Sequence, residues 1–264
     1  MTAGGTWRVD SDQIRQLPRL RAVEQHQEIG STNDRALELL QQVNLATPLL
    51  ILADRQTAGR GRGDHRWWSA AGGLTFSLVF DPVEFSLPRE VWPRITLTAA
   101  VAMCETALRF APKVACGLKW PNDVLLNGRK LCGILAEVPA LPGRTSQQMV
   151  LGMGVNVNNS LASAPEEIRA IATSLTDATD EPIDSTAVLT MLLTEFFGNL
   201  ERLATADPSL PLRWQELCLH RGQMLQVHQG TQRVGGLCLG IADDGALLLE
   251  TDQGPQRFYG GLLV

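Results

Sequence analysis

Lys119-Trp120-Pro121-Asn122-Asp123-Val124-Leu125-Leu126-Asn127-Gly128-Arg129-Lys130-Leu131-Cys132-Gly133-Ile134-Leu135-Ala136 holds a strong short hairpin signal. Two apolar runs, Val124–Leu126 and Leu131–Val138, flank Asn127-Gly128. Both turn residues tolerate positive φ, so the pair predicts a tight β-hairpin. Pro121 cannot continue a helix, and Cys116–Trp120 is expected to be a strand ending in a sharp turn.

Upstream of this hairpin, Leu74, Phe76, Leu78 and Phe80 alternate with Thr75, Ser77 and Val79, the period of a strand with one face in the core. Leu97, Ala100, Val101, Cys104, Ala107 and Leu108 recur at helical spacing and predict a packed helix from about Pro93 to Phe110. Leu49–Ala53 is expected to be a short buried strand. Ser31-Thr32-Asn33-Asp34 is a helix start, with a capping residue before an acidic first turn and a helix to about Gln42. Residues 1–28 are polar and aperiodic, and are expected to form a loosely packed lead-in with at most one short strand.

Downstream, Met149–Val157 predicts another strand, followed by helices over Ser185–Leu203 and Ser209–His220. From Arg221 the character changes. Met224–His228, Arg233–Ile241, Ala246–Glu250 and Gln256–Tyr259 are short strand-like runs between glycine-containing turns. They point to a small SH3-like barrel, or to an extra sheet of the main domain. The expected architecture is α+β, divided into residues 1–220 and 221–264.

The 264 residues are 44% apolar, enough for a large core, and carry a net charge of −5. That balance argues against a general binder of nucleic acid or anionic membranes, so an anion site must be a local concentration of Arg and Lys. The five cysteines are scattered, which suits reduced thiols in a cytoplasmic protein better than disulfides or a zinc site. No apolar run reaches membrane-spanning length, and the first residues lack the apolar core of a signal peptide.

The loop Gln56-Thr57-Ala58-Gly59-Arg60-Gly61-Arg62-Gly63-Asp64-His65-Arg66-Trp67-Trp68 carries the strongest chemical signal. Alternating glycines let the backbone approach a ligand, the arginines offer planar donors to phosphate or carboxylate, and Trp67 and Trp68 offer flat apolar area. A solvated surface loop and an RGG-type nucleic-acid segment are the alternatives. Lys119 and Asp123 are placed to position phosphates and a metal ion, although Asn122 and Asp123 can equally serve the turn backbone. Lys130 begins an apolar run, placed to neutralise a phosphate. Gly152-Met153-Gly154-Val155-Asn156 is no dinucleotide fingerprint, because no βαβ unit surrounds it; strand glycines mark the close approach of a ligand or another backbone. A nucleophile elbow, a P-loop and metal-ligand clusters are absent from the sequence, so the chemistry indicated is electrostatic clamping.

Taken in order, Ser31-Thr32-Asn33, Gln56-x-x-Gly-Arg-Gly-Arg, Lys119-Trp-Pro-Asn-Asp, Arg129-Lys130-Leu-x-Gly-Ile-Leu and Gly152-x-Gly-x-Asn156 resemble the biotin protein ligases, over about half the chain. The resemblance implies a class II synthetase-like catalytic domain, with a central mixed or antiparallel sheet and flanking helices, plus an SH3-like C-terminal domain. It is to the short type without a DNA-binding domain. It implies an ATP-dependent biotin–[acetyl-CoA-carboxylase] ligase that makes biotinyl-5′-AMP with Mg²⁺ and biotinylates the biotin carboxyl carrier protein. Members are commonly homodimers, with the central sheet a plausible contact surface.

By position, Ser31, Thr32, Asn33 and Gln56 are implied to bind the ureido head of biotin, Gly59 and Gly133 to belong to the biotin site, and Gly61 to help cover the biotin carboxylate and the adenylate. Arg60 and Arg62 are implied to cover its carboxylate and the adenylate, and Lys130 to bridge that carboxylate and the α-phosphate. Trp67 and Asn156 would meet the adenine, with Arg66, Lys119 and Asn122 toward ATP. Asp123 would hold metal or orient Lys130. Where many members carry a further basic residue, this chain has Gly63-Asp64-His65; Arg66 is positioned to compensate. The rival reading is a lipoate or octanoate ligase or transferase of the related fold, which lacks the Gly-Arg-Gly-Arg loop.

Overall fold

The computed structural model describes residues 8–42, 44–140 and 147–264. Its main sheet contains β1 (Ala22–Ile29), β2 (Leu49–Gln56), β3 (Leu74–Phe80), β4 (Cys116–Lys119), β5 (Asp123–Leu126), β6 (Arg129–Glu137) and β7 (Met149–Val155). Their spatial order is β1-β2-β3-β7-β6-β5-β4. β1 and β2 run parallel, and the other neighbouring pairs are antiparallel. The sheet is therefore mixed. The Asn127-Gly128 hairpin forms as expected between β5 and β6, both turn residues having positive φ, 50° and 76°.

Seven helices are described: α1 (Ser11–Ile14), α2 (Thr32–Leu39), α3 (Ile95–Phe110), α4 (Glu166–Ile171), α5 (Leu175–Thr179), α6 (Ser185–Ala204) and α7 (Ser209–Leu217). The period of two in the strands sorts their side chains between two layers. Leu50, Leu52, Phe76, Leu78, Phe80, Leu151 and Met153 face the large core shared with α3 and α6. Leu49, Ile51, Val79 and Val150 point the other way, onto Ala36, Leu39 and Leu40 at α2. Beyond α2, this second face carries Thr75, Ser77, Gly152, Gly154 and Gly133, joined across the strands by the pairings Ser77–Gly152, Thr75–Gly154 and Gly133–Gly154. Small residues there leave a hollow above the sheet.

The lead-in is more ordered than its polarity implies. Val9, Ile14 and Leu20 are buried in the main core, Asp10 caps α1, and β1 adds an eight-residue edge strand. Every residue of β1 is partly exposed, or more. An edge strand needs no apolar alternation, which is why the sequence hid it. The short helices α4 and α5 also escaped the periodicity reading; α5 is held by a reciprocal Ser174–Asp177 capping box rather than by an apolar stripe. Among the described residues no helix is long and apolar enough to cross a membrane.

The C-terminal sheet has five antiparallel strands: β8 (Met224–Gln229), β9 (Gln232–Ile241), β10 (Leu247–Thr251), β11 (Gly254–Phe258) and β12 (Leu262–Leu263). Their order, β11-β10-β9-β8-β12, is consistent with an SH3-like domain. The two-residue β12 was not foreseen. The segment before β8 is stitched to the main sheet: Cys218 bridges Leu118 in parallel, and the Leu219 N–H donates to the Leu118 carbonyl at 3.0 Å. Farther on, Trp120 Nε1 donates to the Gly245 carbonyl at 3.2 Å. The outer edge of β4 is thereby covered.

Candidate functional site

The hollow continues as a cavity of about 1050 Å³, walled by the glycine-arginine loop, the β5–β6 hairpin and one end of the C-terminal sheet. That is at the upper end of the range of about 300–1,000 Å³ for small-molecule sites. Its two ends differ in chemistry.

One end is built mainly from buried neutral side chains. Ser31, Thr32 and Asn33, at the start of α2, are at most 4% exposed. The Ser31 hydroxyl accepts from the Asp34 N–H as the helix cap, at 3.4 Å. The Thr32 N–H and hydroxyl donate to Gln56 Oε1 at 2.7 and 3.1 Å. Ser77 Oγ lies 2.8 Å from Thr32 Oγ1 and 2.6 Å from Asn33 Oδ1. Asn33 lies directly over Gly152, where a Cβ would stand 2.0 Å from Asn33 Oδ1. Ser77 was not singled out from the sequence, although a hydroxyl in the apolar run Leu74–Phe80 was a usable signal: a buried hydroxyl needs a partner. Glu137, at the end of β6, was also missed. It accepts from Asn33 Nδ2 at 2.8 Å and forms an ion pair with Arg60 at 2.8 Å.

The other end is charged and more open. Lys130 Nζ lies 2.8 Å from Asp123 Oδ1 and 6.0 Å from the centroid of the Trp67 ring. The Trp67 indole rests on Gly154, where a Cβ would come within 2.2 Å of it, and beside Gly133. The close approach marked by these strand glycines is therefore made by Asn33 and Trp67. Arg62 donates to Asn122 Oδ1 and to the Gly261 carbonyl, both at 3.3 Å, tying the loop to the hairpin and to the C-terminal domain. Lys119 and Arg66 complete this wall. Cys132, next to Gly133, is fully buried, and burial pushes its thiol far above the ordinary range, so it is no nucleophile.

The loop folds back on itself. Gly61 N–H donates to the His65 carbonyl at 2.8 Å, and Trp67 N–H to the Gly59 carbonyl at 3.0 Å. Arg60 points to α2, bound by Glu137 and by Asp34 at 2.8 Å. Its hydrogen bond to Glu137 is the first cause of its raised pKa.

Two expected site residues do not line the cavity: Gly59 and Asn156. Gly59 packs against the Trp67 carbonyl, 2.6 Å from where a Cβ would be. Asn156 is 4% exposed and has both ends of its amide engaged, donating to the Lys130 carbonyl at 3.3 Å and accepting from Asn159 at 2.9 Å. It braces the lysine's backbone from behind. The remaining expected residues converge on the one cavity. Among the described residues no three His, Cys, Asp or Glu side chains form a metal cluster.

A neutral polar pocket joined to a cationic one under an arginine loop defines a class, and the comparisons give the same class. Residues 26–156 match the biotin/lipoate A/B protein ligase family, and residues 220–261 match the biotin protein ligase C-terminal domain. The bifunctional ligase/repressor BirA of Bacillus subtilis is 36% identical over 89% of this chain and 71% of its own. The biotin–[acetyl-CoA-carboxylase] ligase of Paracoccus denitrificans is 32% identical over 88% of this chain and 98% of its own. The solved Aquifex aeolicus biotin protein ligase, in complex with biotin and ATP, superposes with a TM-score of 0.76 at 27% identity, over 93% of this chain and 98% of that one. This chain belongs to the biotin protein ligase family and is a ligase.

Proposed function

We propose that this protein condenses biotin with ATP to biotinyl-5′-AMP and transfers the biotinyl group to one lysine of the biotin carboxyl carrier protein of acetyl-CoA carboxylase. The observation that carries this reading is the cavity's pairing of a buried neutral end with a cationic end around Lys130. A ureido ring is neutral and rich in hydrogen-bonding groups; a carboxylate meeting a triphosphate is an encounter of anions. In the first step, a biotin carboxylate oxygen attacks the α-phosphorus and pyrophosphate leaves. Lys130, at the cationic end, would neutralise both the carboxylate and the α-phosphate as charge builds up. Arg62, Arg66 and Lys119 would hold the phosphates. The indole of Trp67 would pack against the adenine, and the loop would shield the mixed anhydride from water.

In the second step the carrier's lysine amine attacks the biotinyl carbonyl and AMP leaves. Asn156 would act through Lys130, whose carbonyl it holds, rather than by reading the base. Asp123 is partnered with Lys130, which favours orienting the lysine over a resident metal site. Magnesium would enter on the nucleotide, held mainly by phosphate oxygens, as that ion usually is. Relatives named as acetyl-CoA-carboxylase ligases support the carrier.

The test is biotin-dependent exchange of pyrophosphate into ATP, run beside lipoate and octanoate, followed by labelling of a carrier domain. Exchange with biotin alone is expected. Exchange with lipoate or octanoate and none with biotin would move the protein to the sister activity.

A further inference from the structure

We propose that Glu137 is a positioning residue for biotin recognition: its carboxylate fixes which way the Asn33 amide faces, and so which hydrogen bonds the head pocket accepts. The assignment rests on the reading that the pocket at the start of α2 holds the ureido head.

An asparagine amide can be rotated by half a turn at almost no steric cost, exchanging an acceptor for two donors. A pocket built on such a group has no fixed polarity unless a neighbour breaks the tie. Glu137 does so here. An ionised carboxylate only accepts, so the Nδ2 end of Asn33 must face it, and the two lie 2.8 Å apart. Asn33 Oδ1 then points the other way, over Gly152 on the cavity floor and 2.6 Å from the Ser77 hydroxyl. A carbonyl oxygen has two lone pairs, so beyond Ser77 it retains capacity for one ureido N–H.

The same carboxylate is gripped by the loop. Arg60 Nη2 donates to Oε1 at 2.8 Å, and Nη1 to Oε2 at 3.2 Å. This planar, two-point pairing fixes the plane of the carboxylate. Arg60 also reaches Asp34, the residue after Asn33. Three separate segments, β6, the start of α2 and the loop, thus meet on one side chain. No residue in this cluster is redundant: the arginine orients the carboxylate, the carboxylate orients the amide, and the amide presents the acceptor.

Glu137→Gln keeps the shape but supplies N–H donors of its own, so the Asn33 amide is free to turn. The expected result is a rise in KM for biotin of about tenfold, the scale of one charge-assisted hydrogen bond, with KM for ATP and kcat each moving less than about threefold. Biotin analogues methylated on either ureido nitrogen give the selective readout. The wild type should reject one of them strongly, and Glu137→Gln should narrow that discrimination, because a turned amide no longer requires that N–H. Glu137→Asp should recover part of the lost affinity. Asp34→Asn removes a charge from Arg60 without touching the amide, and should raise KM for biotin by less than about threefold.

An unchanged KM and unchanged discrimination in Glu137→Gln would overturn the assignment. An equal rise in Asp34→Asn would overturn it too, by locating the effect in the charge on Arg60. Should the wild type show no exchange with biotin at all, the ligase reading would fail instead, and the two failures cannot be confused. Circular dichroism and thermal melting of each variant separate a loss of fold from a loss of recognition.

Discussion

The two ends of the cavity share one sheet but are held in different ways. At the head end, the buried Thr32, Asn33 and Ser77 and the partly exposed Gln56 hold one another through short neutral hydrogen bonds. At the phosphate end, Lys130 and Arg62 keep partners but remain partly open, the Lys130 side chain being 30% exposed. The contrast teaches how one pocket can serve a neutral ring and several anions. Buried neutral groups select by direction, since a misplaced donor there leaves an unpaired partner. Half-exposed cations tolerate movement, since Coulomb attraction is weakly directional and the reacting charges themselves shift.

The comparison can be broken by variants that should act on one end alone. Lys130→Ala has the largest expected effect: pyrophosphate exchange falls about 10²–10³-fold, as when one transition-state donor is removed. Biotin binding, measured by calorimetry, should weaken far less; equal losses would mean that the two ends act as one. Gly152→Ala and Gly154→Ala form a matched pair, because each places a methyl group against one end's key side chain. The first should raise KM for biotin and the second KM for ATP, each by about tenfold on the scale of overpacking. Steady-state kinetics with each substrate varied in turn reads this crossing, and a shared effect on both substrates would erase it.

Arg62→Ala should weaken ATP binding by about three- to tenfold, as expected for one partly exposed charge-assisted contact. The smallest effect lies outside the cavity. On β1, the hydrogen bond from Arg35 holds the Glu24 carboxyl below its ordinary range, against the opposing pull of burial. A lowered folded-state pKa stabilises the fold above the unfolded-state value and ceases to do so as pH falls through the folded-state value. Glu24→Gln should therefore cost about 2 °C of Tm at neutral pH, and nothing once the wild-type carboxyl is itself protonated. Thermal melts of both proteins from pH 7 downward test this: the gap in Tm should shrink as the pH falls, and exchange activity should not follow the change.

Much of this was legible in the sequence, for reasons that differ between the ends. The hairpin at Asn127-Gly128, the alternation of Leu74–Phe80 and the stripe of α3 are local patterns, and each forms where it was expected. The loop glycines and arginines were visible because their types are unusual together. Glu137 was not visible, because its importance lies in what it meets across the sheet, and Ser77 showed only as one of two hydroxyls in the run Leu74–Phe80, with nothing to say which partner it takes. Asn156 shows how little a residue type says about where its side chain turns. Its place in a glycine-rich strand suggested contact with a ligand, whereas the chain turns it inward onto Asn159 and the Lys130 backbone. Sequence spacing tells which residues share a face; the partner on the far side of that face is a tertiary fact.

The bridge between Leu118 and Cys218 bears on how the chain acquires its shape in time. It joins positions far apart in the sequence, and such contacts form slowly because a long loop must first close. The head end draws on residues up to β7, all present once Val155 has been made. The strand leading into Lys119 gains its outer neighbour only after the chain has passed Leu219. The two halves of the cavity should therefore mature in order, the end at the start of α2 first and the cationic end last. Pulse-labelled hydrogen exchange during refolding should find β3 and β7 protected before β4, and simultaneous protection would show that the sheet assembles in one event.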